Sequence, residues 1–317
     1  MTPGRYPGGH RFAFTIMDDT DVATVANVGP VYRLLDELGF RTTKTVWPFT
    51  CPEGSRDFGT SETLEDPQYL AFVQGLAARG FEIAHHGATM ESSPRERTAL
   101  ALERFRELFG HPPRVYANHA YNRENLYWGT ARLDDPILRL LYRRINGRPE
   151  GYYQGHVPDS AWWWGDLAER NLTYVRNLTF SDANVLNTNP SIPYRDPGRP
   201  LVPWWFSASD AEDVDEFNAL LSSANQDRLE REGGVCIVAT HLGKRFAHDG
   251  EVHPQTRRLL TELSRRSGWF VPVCDLLDYL RLQRIREEIP RGEWRAMQWR
   301  WARDLLLRRL RRAARRR

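Results

Sequence analysis

The chain has 317 residues, 41% of them hydrophobic and 27% charged, a balance that suits a globular protein with a sizeable core and excludes a disordered or fibrous one. Its net charge of +3 hides a split, because Trp294 to Arg317 carries ten Arg against one Asp and leaves the remainder net acidic, a poor match for nucleic acid. Three scattered cysteines (Cys51, Cys236, Cys274) form no CxxC pair, which argues against a disulfide framework and for a reducing compartment.

In chain order, short apolar runs alternate with helix-like stretches. The strand candidates are RFAFTIM (11–17), TTKTVW (42–47), FEIAHH (81–86) and RVYAN (114–118), then LTYVRN (172–177), LVPWWF (201–206), GGVCIVAT (233–240) and GWFVPV (268–273). Helical patterns are expected at 65–79, 94–109, 135–145, 212–231, 254–265 and 274–288. Such alternation predicts parallel strands with helical crossovers. An unbroken series of seven or eight favours a single distorted (β/α) barrel over an open sheet. Residues 119–165, dense in Asn, Gly, Tyr and Trp, read as long loops over a binding site. The barrel is expected over 1–290, followed by an Arg-rich amphipathic tail over 291–317.

Polar residues with chemical capability fall where the strand candidates end. Asp18 and Asp19 follow FAFTIM, His85 and His86 finish FEIAHH, Asn118 and His119 follow RVYA, and His241 follows VCIVAT. In a parallel barrel those ends form the active-site face. Any one of them alone reads as a helix cap or a satisfied histidine. Four strands delivering such groups to one rim point instead to metal-assisted amide hydrolysis. One carboxylate and imidazoles hold an ion such as Zn²⁺, a second carboxylate accepts a proton, and an imidazole protonates the leaving amine.

In their order these motifs resemble the polysaccharide deacetylases. The resemblance covers roughly residues 11 to 282. That family's barrel opens on a strand ending T-F-D-D, matched here by TIMDD, which implies Asp18 as general base and Asp19 as metal ligand. Its second motif, E-I-[GA]-x-H, is matched by EIAHH through His86. A late strand ending in His supplies the catalytic acid, which VATHLG implies to be His241. GWFVPVCDLLDYL is similar to the closing βα unit. The family's further His, four residues on, is replaced by Met90, a poor ligand for Zn²⁺. Its Arg-Pro motif after the fourth strand is also absent, with YANHAYNREN in its place.

His119, on the neighbouring strand end, is therefore expected to complete a site of Asp19, His86 and His119 for a divalent metal, Zn²⁺ being the expected ion. Adjacent strand residues point to opposite faces, so His85 should pack behind the strand. Asn118, Asn122, Trp163 and Arg176 are expected to contact substrate. The function expected is removal of an N- or O-acetyl group from a sugar in surface-polysaccharide biosynthesis. MTPGRYPGGHRFAF holds no apolar signal segment and no run of apolar residues is long enough to span a bilayer, so a cytoplasmic, lipid- or nucleotide-linked precursor is the expected substrate. The alternatives are a metal-independent amidohydrolase acting on a small cyclic amide, and a catalytically silent carbohydrate-binding barrel at the membrane. In the tail, Trp294, Met297, Trp301, Leu305, Leu306 and Leu310 recur at helical spacing with Arg on the other faces. That pattern suits an anionic inner membrane surface, packing on the barrel being the competing reading.

Overall fold

The apolar runs of the chain become neighbouring strands because each is rich in Val, Ile, Phe or Trp and is bounded by Gly, Pro or polar turns. The computed structural model describes residues 5–315; the first four residues and the final two of the Arg-rich tail lie outside the described residues. Seven parallel strands, β1 (Phe12–Asp18), β2 (Thr43–Val46), β3 (Glu82–His85), β4 (Val115–Ala117), β5 (Tyr174–Phe180), β6 (Trp204–Asp210) and β7 (Val235–Thr240), pair in chain order. Pairing of β1 with β7, from Ala13 opposite Val235 to Asp18 opposite Thr240, closes the barrel. A two-strand hairpin, β8 (Ala247–His248) and β9 (Glu251–Val252), follows, and an extra strand, β10 (Gly268–Phe270), pairs in parallel with the first half of β1, Phe12 opposite Gly268 to Phe14 opposite Phe270.

The helices are α1 (Val25–Glu37), α2 (Pro67–Ala78), α3 (Arg95–Phe109), α4 (Pro136–Asn146) and α5 (Gly165–Asn171) in the first half. The second half holds α6 (Val214–Leu220), α7 (Ser223–Glu232), α8 (Pro254–Ser264), α9 (Val273–Leu282) and α10 (Arg291–Arg315). The single helix expected over 212–231 is two. Its break at Leu221–Ser222 is held by side chains that bond the freed carbonyls: Asn225 donates to Leu220 and Gln226 to Leu221. The helix expected over 274–288 stops at Leu282.

Alternation along the strands decides what reaches the lumen. Phe12, Phe14 and Ile16 of β1 pack outward into the core beneath the helices, while Ala13 and Met17 face an inner set with Ala84, Ala117, Phe206 and Ala239. Asp18 therefore points outward and Asp19 inward. On β3 the same alternation sends Ile83 outward and Ala84 inward. α10 lays Trp294, Met297 and Trp301 into a third core cluster formed by β5, β6 and the loops after β4.

Candidate active site

The turn after β1 is held rigidly enough to aim a third carboxylate. The Asp19 amide donates to the Thr240 carbonyl (2.7 Å), and Val22 adopts a left-handed φ of 53° with its amide on Ser61 Oγ (2.8 Å). Gly243, after the end of β7, lets the two loops touch: a Cβ there would stand 2.9 Å from the Val22 carbonyl oxygen. A β-branched residue held at positive φ is strained, a condition that concentrates at functional sites.

What this turn presents is Asp21. Its carboxylate is ringed by three imidazoles: His86 Nε2 at 3.2 Å, His119 Nε2 at 3.4 Å and His241 Nε2 at 3.4 Å. Each ring is oriented through its other nitrogen, with Nδ1 of His86 at 2.9 Å from the Ala117 carbonyl, that of His119 at 3.0 Å from Asn122 Oδ1, and that of His241 at 2.9 Å from the Glu212 carbonyl. A proton on each Nδ1 turns three Nε2 atoms toward one carboxylate, the arrangement by which proteins fix metal-binding imidazoles. Trp47 covers two of the rings, with centroids 4.6 Å from His86 and 5.4 Å from His119. Gly87, at φ 137°, makes room for Trp47, whose ring would lie 3.1 Å from a Cβ.

Burial alone would raise the Asp21 carboxyl, but His119, His241 and His86 hold it well below the ordinary carboxylate value. Burial would lower His119 and His241, yet Asp21 and Asp19 leave both above the usual imidazole value. Asp19, also in the lumen, is gripped bidentately by Arg176 of β5 at 2.8 and 2.5 Å. Burial would raise its carboxyl too, and Arg176, with His86, keeps it below the ordinary value. Farther out, Asn122 passes from His119 to Glu124, donating to its Oε1 at 3.0 Å; burial lifts the Glu124 carboxyl to about 7.

Among the described residues no three His, Cys, Asp or Glu side chains form a ready-made metal cage. The donor set nevertheless fits a divalent cation. Asp21 Oδ1 and His86 Nε2 are buried and close, yet neither has a hydrogen-bond partner among the described residues, so both lone pairs remain available. One carboxylate and two imidazoles are an ordinary Zn²⁺ set that leaves a position open.

The other expected site residues fall as follows. Asp18 is fully buried behind the strand, paired with Lys44 Nζ (3.0 Å) and bonded by Tyr32 OH (3.0 Å) and the Leu242 amide (2.8 Å). It has no face on the lumen, which corrects the expectation that it is the base. Asp19, expected as a ligand, spends both oxygens on Arg176, and Asp21 takes the place beside the imidazoles. The pattern DDTD held that signal as a third carboxylate two residues beyond the pair. His85 lies between Phe105 and Tyr116 in the outer layer. Met90 is elsewhere, its sulfur accepting from Thr60. Asn118 uses both amide groups on Leu126, and half-buried Trp163 packs over Gly165 at the start of α5. Asn122 positions His119, and Arg176 positions Asp19.

No protein-family model matches the chain, and no curated protein matches it. Solved structures do. A Mycobacterium smegmatis protein assigned as a polysaccharide deacetylase superposes with a TM-score of 0.56 at 15% identity, over 92% of this chain and 97% of the other. The Puue allantoinase superposes with a TM-score of 0.51 at 15% identity, over 89% and 94%. The chain has the barrel fold of these proteins.

Proposed function

We propose that the protein is a hydrolase that removes an acyl group, acetyl first, from a sugar amide or ester. The observation that carries this reading is the convergence of Asp21, His86, His119 and His241 from separate strand ends on one point, beside an ionised Asp19. Asp21, His86 and His119 would hold a divalent ion, Zn²⁺ first. When bound, such an ion supplies an activated water and polarises the acyl oxygen. Asp19, kept ionised by Arg176, is the lumen carboxylate able to accept a proton from attacking water. His241, the most open of the three imidazoles and held above the ordinary imidazole value by Asp21 and Asp19, is placed to donate a proton to the departing amine or alcohol. The fold it shares with a protein assigned as a polysaccharide deacetylase supports this reading.

The substrate we infer is a cytoplasmic sugar intermediate of surface-polysaccharide synthesis. No helix among the described residues is long and apolar enough to cross a membrane. We also infer that the tail meets an anionic membrane. Trp294, Met297 and Trp301 pack into the core and Arg308 pairs with Asp210 of β6, whereas Leu306, Leu307 and Leu310 of α10 stay exposed. Ile137, Leu140 and Leu141 of neighbouring α4 are exposed too, with Arg139 and Arg143 beside them. The two helices touch through Tyr142 and Trp301.

Acetate release from N- and O-acetylated sugars, measured before and after chelation and after Zn²⁺ addition, tests the reading. Release that chelation abolishes and metal restores is expected. Met90 in place of an imidazole favours a second reading, a metal-independent amidohydrolase; amide cleavage indifferent to chelator would select it.

A further inference from the structure

Beside the histidine cluster, the loop after β4 and helix α10 line a half-open cavity of about 510 Å³. Arg132, Arg148, Arg308 and Arg309 line it, and no Asp or Glu does. Arg308 is neutralised by Asp210 and by Asp304 (3.0 Å). Arg132 is not. It is 4% exposed, and its Nε and one terminal nitrogen have no hydrogen-bond partner among the described residues. Its guanidinium lies 3.4 Å from the Trp128 ring centroid and 5.4 Å from that of Trp301. Stacking of that kind offsets only part of the cost of burying a charge.

The protein treats its other buried guanidinium groups differently. Arg176 is closed by Asp19, and Arg199 by Asp134 and Asp196. Burial pulls Arg132 below the ordinary guanidinium value, a cost that an anion in the cavity would relieve. Arg148 adds a second cation that makes no ion pair among the described residues and rests over Tyr121 (5.5 Å) and Tyr152 (4.9 Å). Tyr121 is the wall shared with the candidate active site, since its ring meets His119 edge-on at 5.7 Å.

We propose that this cavity is a phosphate-binding subsite, which takes the phosphate or pyrophosphate group of a substrate whose acylated sugar reaches the Asp21 cluster. Guanidinium groups suit phosphate oxygens because they present paired donors in a plane, and the tyrosine and tryptophan walls admit an adjoining sugar or base. The substrate role rests on the acyl-hydrolase reading; the anion binding does not.

Titration of the full chain with inorganic pyrophosphate at low salt tests the subsite. Saturable binding is expected, weakened about ten-fold or more in Arg148→Ala and in Arg132→Met, the scale of one hydrogen-bonded charge contact. If Arg132→Met fails to fold, Arg148→Ala and the exposed Arg309→Ala carry the comparison. Unchanged affinity in both, or no binding by the unaltered protein at millimolar pyrophosphate, overturns the proposal. Two further probes separate the sources of the phosphate. UDP binding lost in Arg148→Ala indicates a nucleotide-linked sugar. Binding of a soluble short-chain phosphatidic acid, lost in the same variant and kept in Leu306→Ser with Leu310→Ser, indicates a lipid-linked one. Pyrophosphate binding without acetate release from any acetylated sugar keeps the subsite and sinks the hydrolase reading. Acetate release from a neutral sugar without pyrophosphate binding overturns the subsite alone.

Discussion

Replacing Lys44 with Met isolates the buried pair that takes Asp18 out of the chemistry. Lys44 and Asp18 are both fully buried and 3.0 Å apart. Burial alone would lower Lys44, but Asp18, with Tyr69, holds it above the ordinary lysine value. Its contribution is therefore fully present below the unfolded lysine value of about 10.4 and fades only at more alkaline pH. Lys44→Met strands the carboxylate with only Tyr32 OH and the Leu242 amide. Removing one partner of a buried pair costs about 3–5 kcal/mol. Urea denaturation at pH 7.5 should show that deficit in full. Adding Asp18→Asn to Lys44→Met should recover much of it. A deficit below about 1 kcal/mol, the size of an exposed pair, would refute this reasoning.

Three further outcomes follow from the same geometry. His85 has no hydrogen-bond partner on either nitrogen among the described residues, and burial, reinforced by His86, lowers it to about 3; it stays neutral in the fold while the unfolded chain binds a proton below about pH 6.5. Stability should thus fall on acidification, by about 2 kcal/mol between pH 7.5 and 5, and His85→Leu should flatten that dependence; an unchanged slope would contradict the assignment. Asp19→Asn and His241→Ala should each lower acetate release about 100-fold with thermal unfolding little changed, and full activity in either removes that residue from the mechanism. Leu306→Ser with Leu310→Ser should abolish flotation with anionic vesicles while leaving the barrel folded; equal binding to neutral and anionic vesicles would count against a membrane-facing tail.

The barrel was legible because each strand is an apolar run between turn residues and the helices between them keep their period. The orientation of residues at strand ends was not. β1 is buried on both faces, so FAFTIMD shows no polar alternation from which to tell that Asp18 points outward and Asp19 inward. The partners that separate these carboxylates, Lys44 and Arg176, lie 26 and 157 residues away and meet them only in the closed barrel. Asp21 was missed because DDTD reads as strand end and helix cap, and its exposure to three imidazoles depends on the strained turn at Val22. His86 and His119 were accessible from their position at neighbouring strand ends. Arg132 was not, since only the packing of α10 over the loop after β4 buries it. In the tail, the helical spacing that suggested one apolar face is shared between the barrel and the surface: Trp294, Met297 and Trp301 are consumed by the core and Leu306 and Leu310 are left outside.

The most direct test is the metal content of the purified protein, measured by elemental analysis beside that of Asp21→Ala. We expect about one equivalent of a divalent ion such as Zn²⁺ in the unaltered chain and its loss in Asp21→Ala, with the variant still folded. Retention of the metal by Asp21→Ala, or full acetate release by metal-free protein, would contradict the role given to the Asp21 cluster.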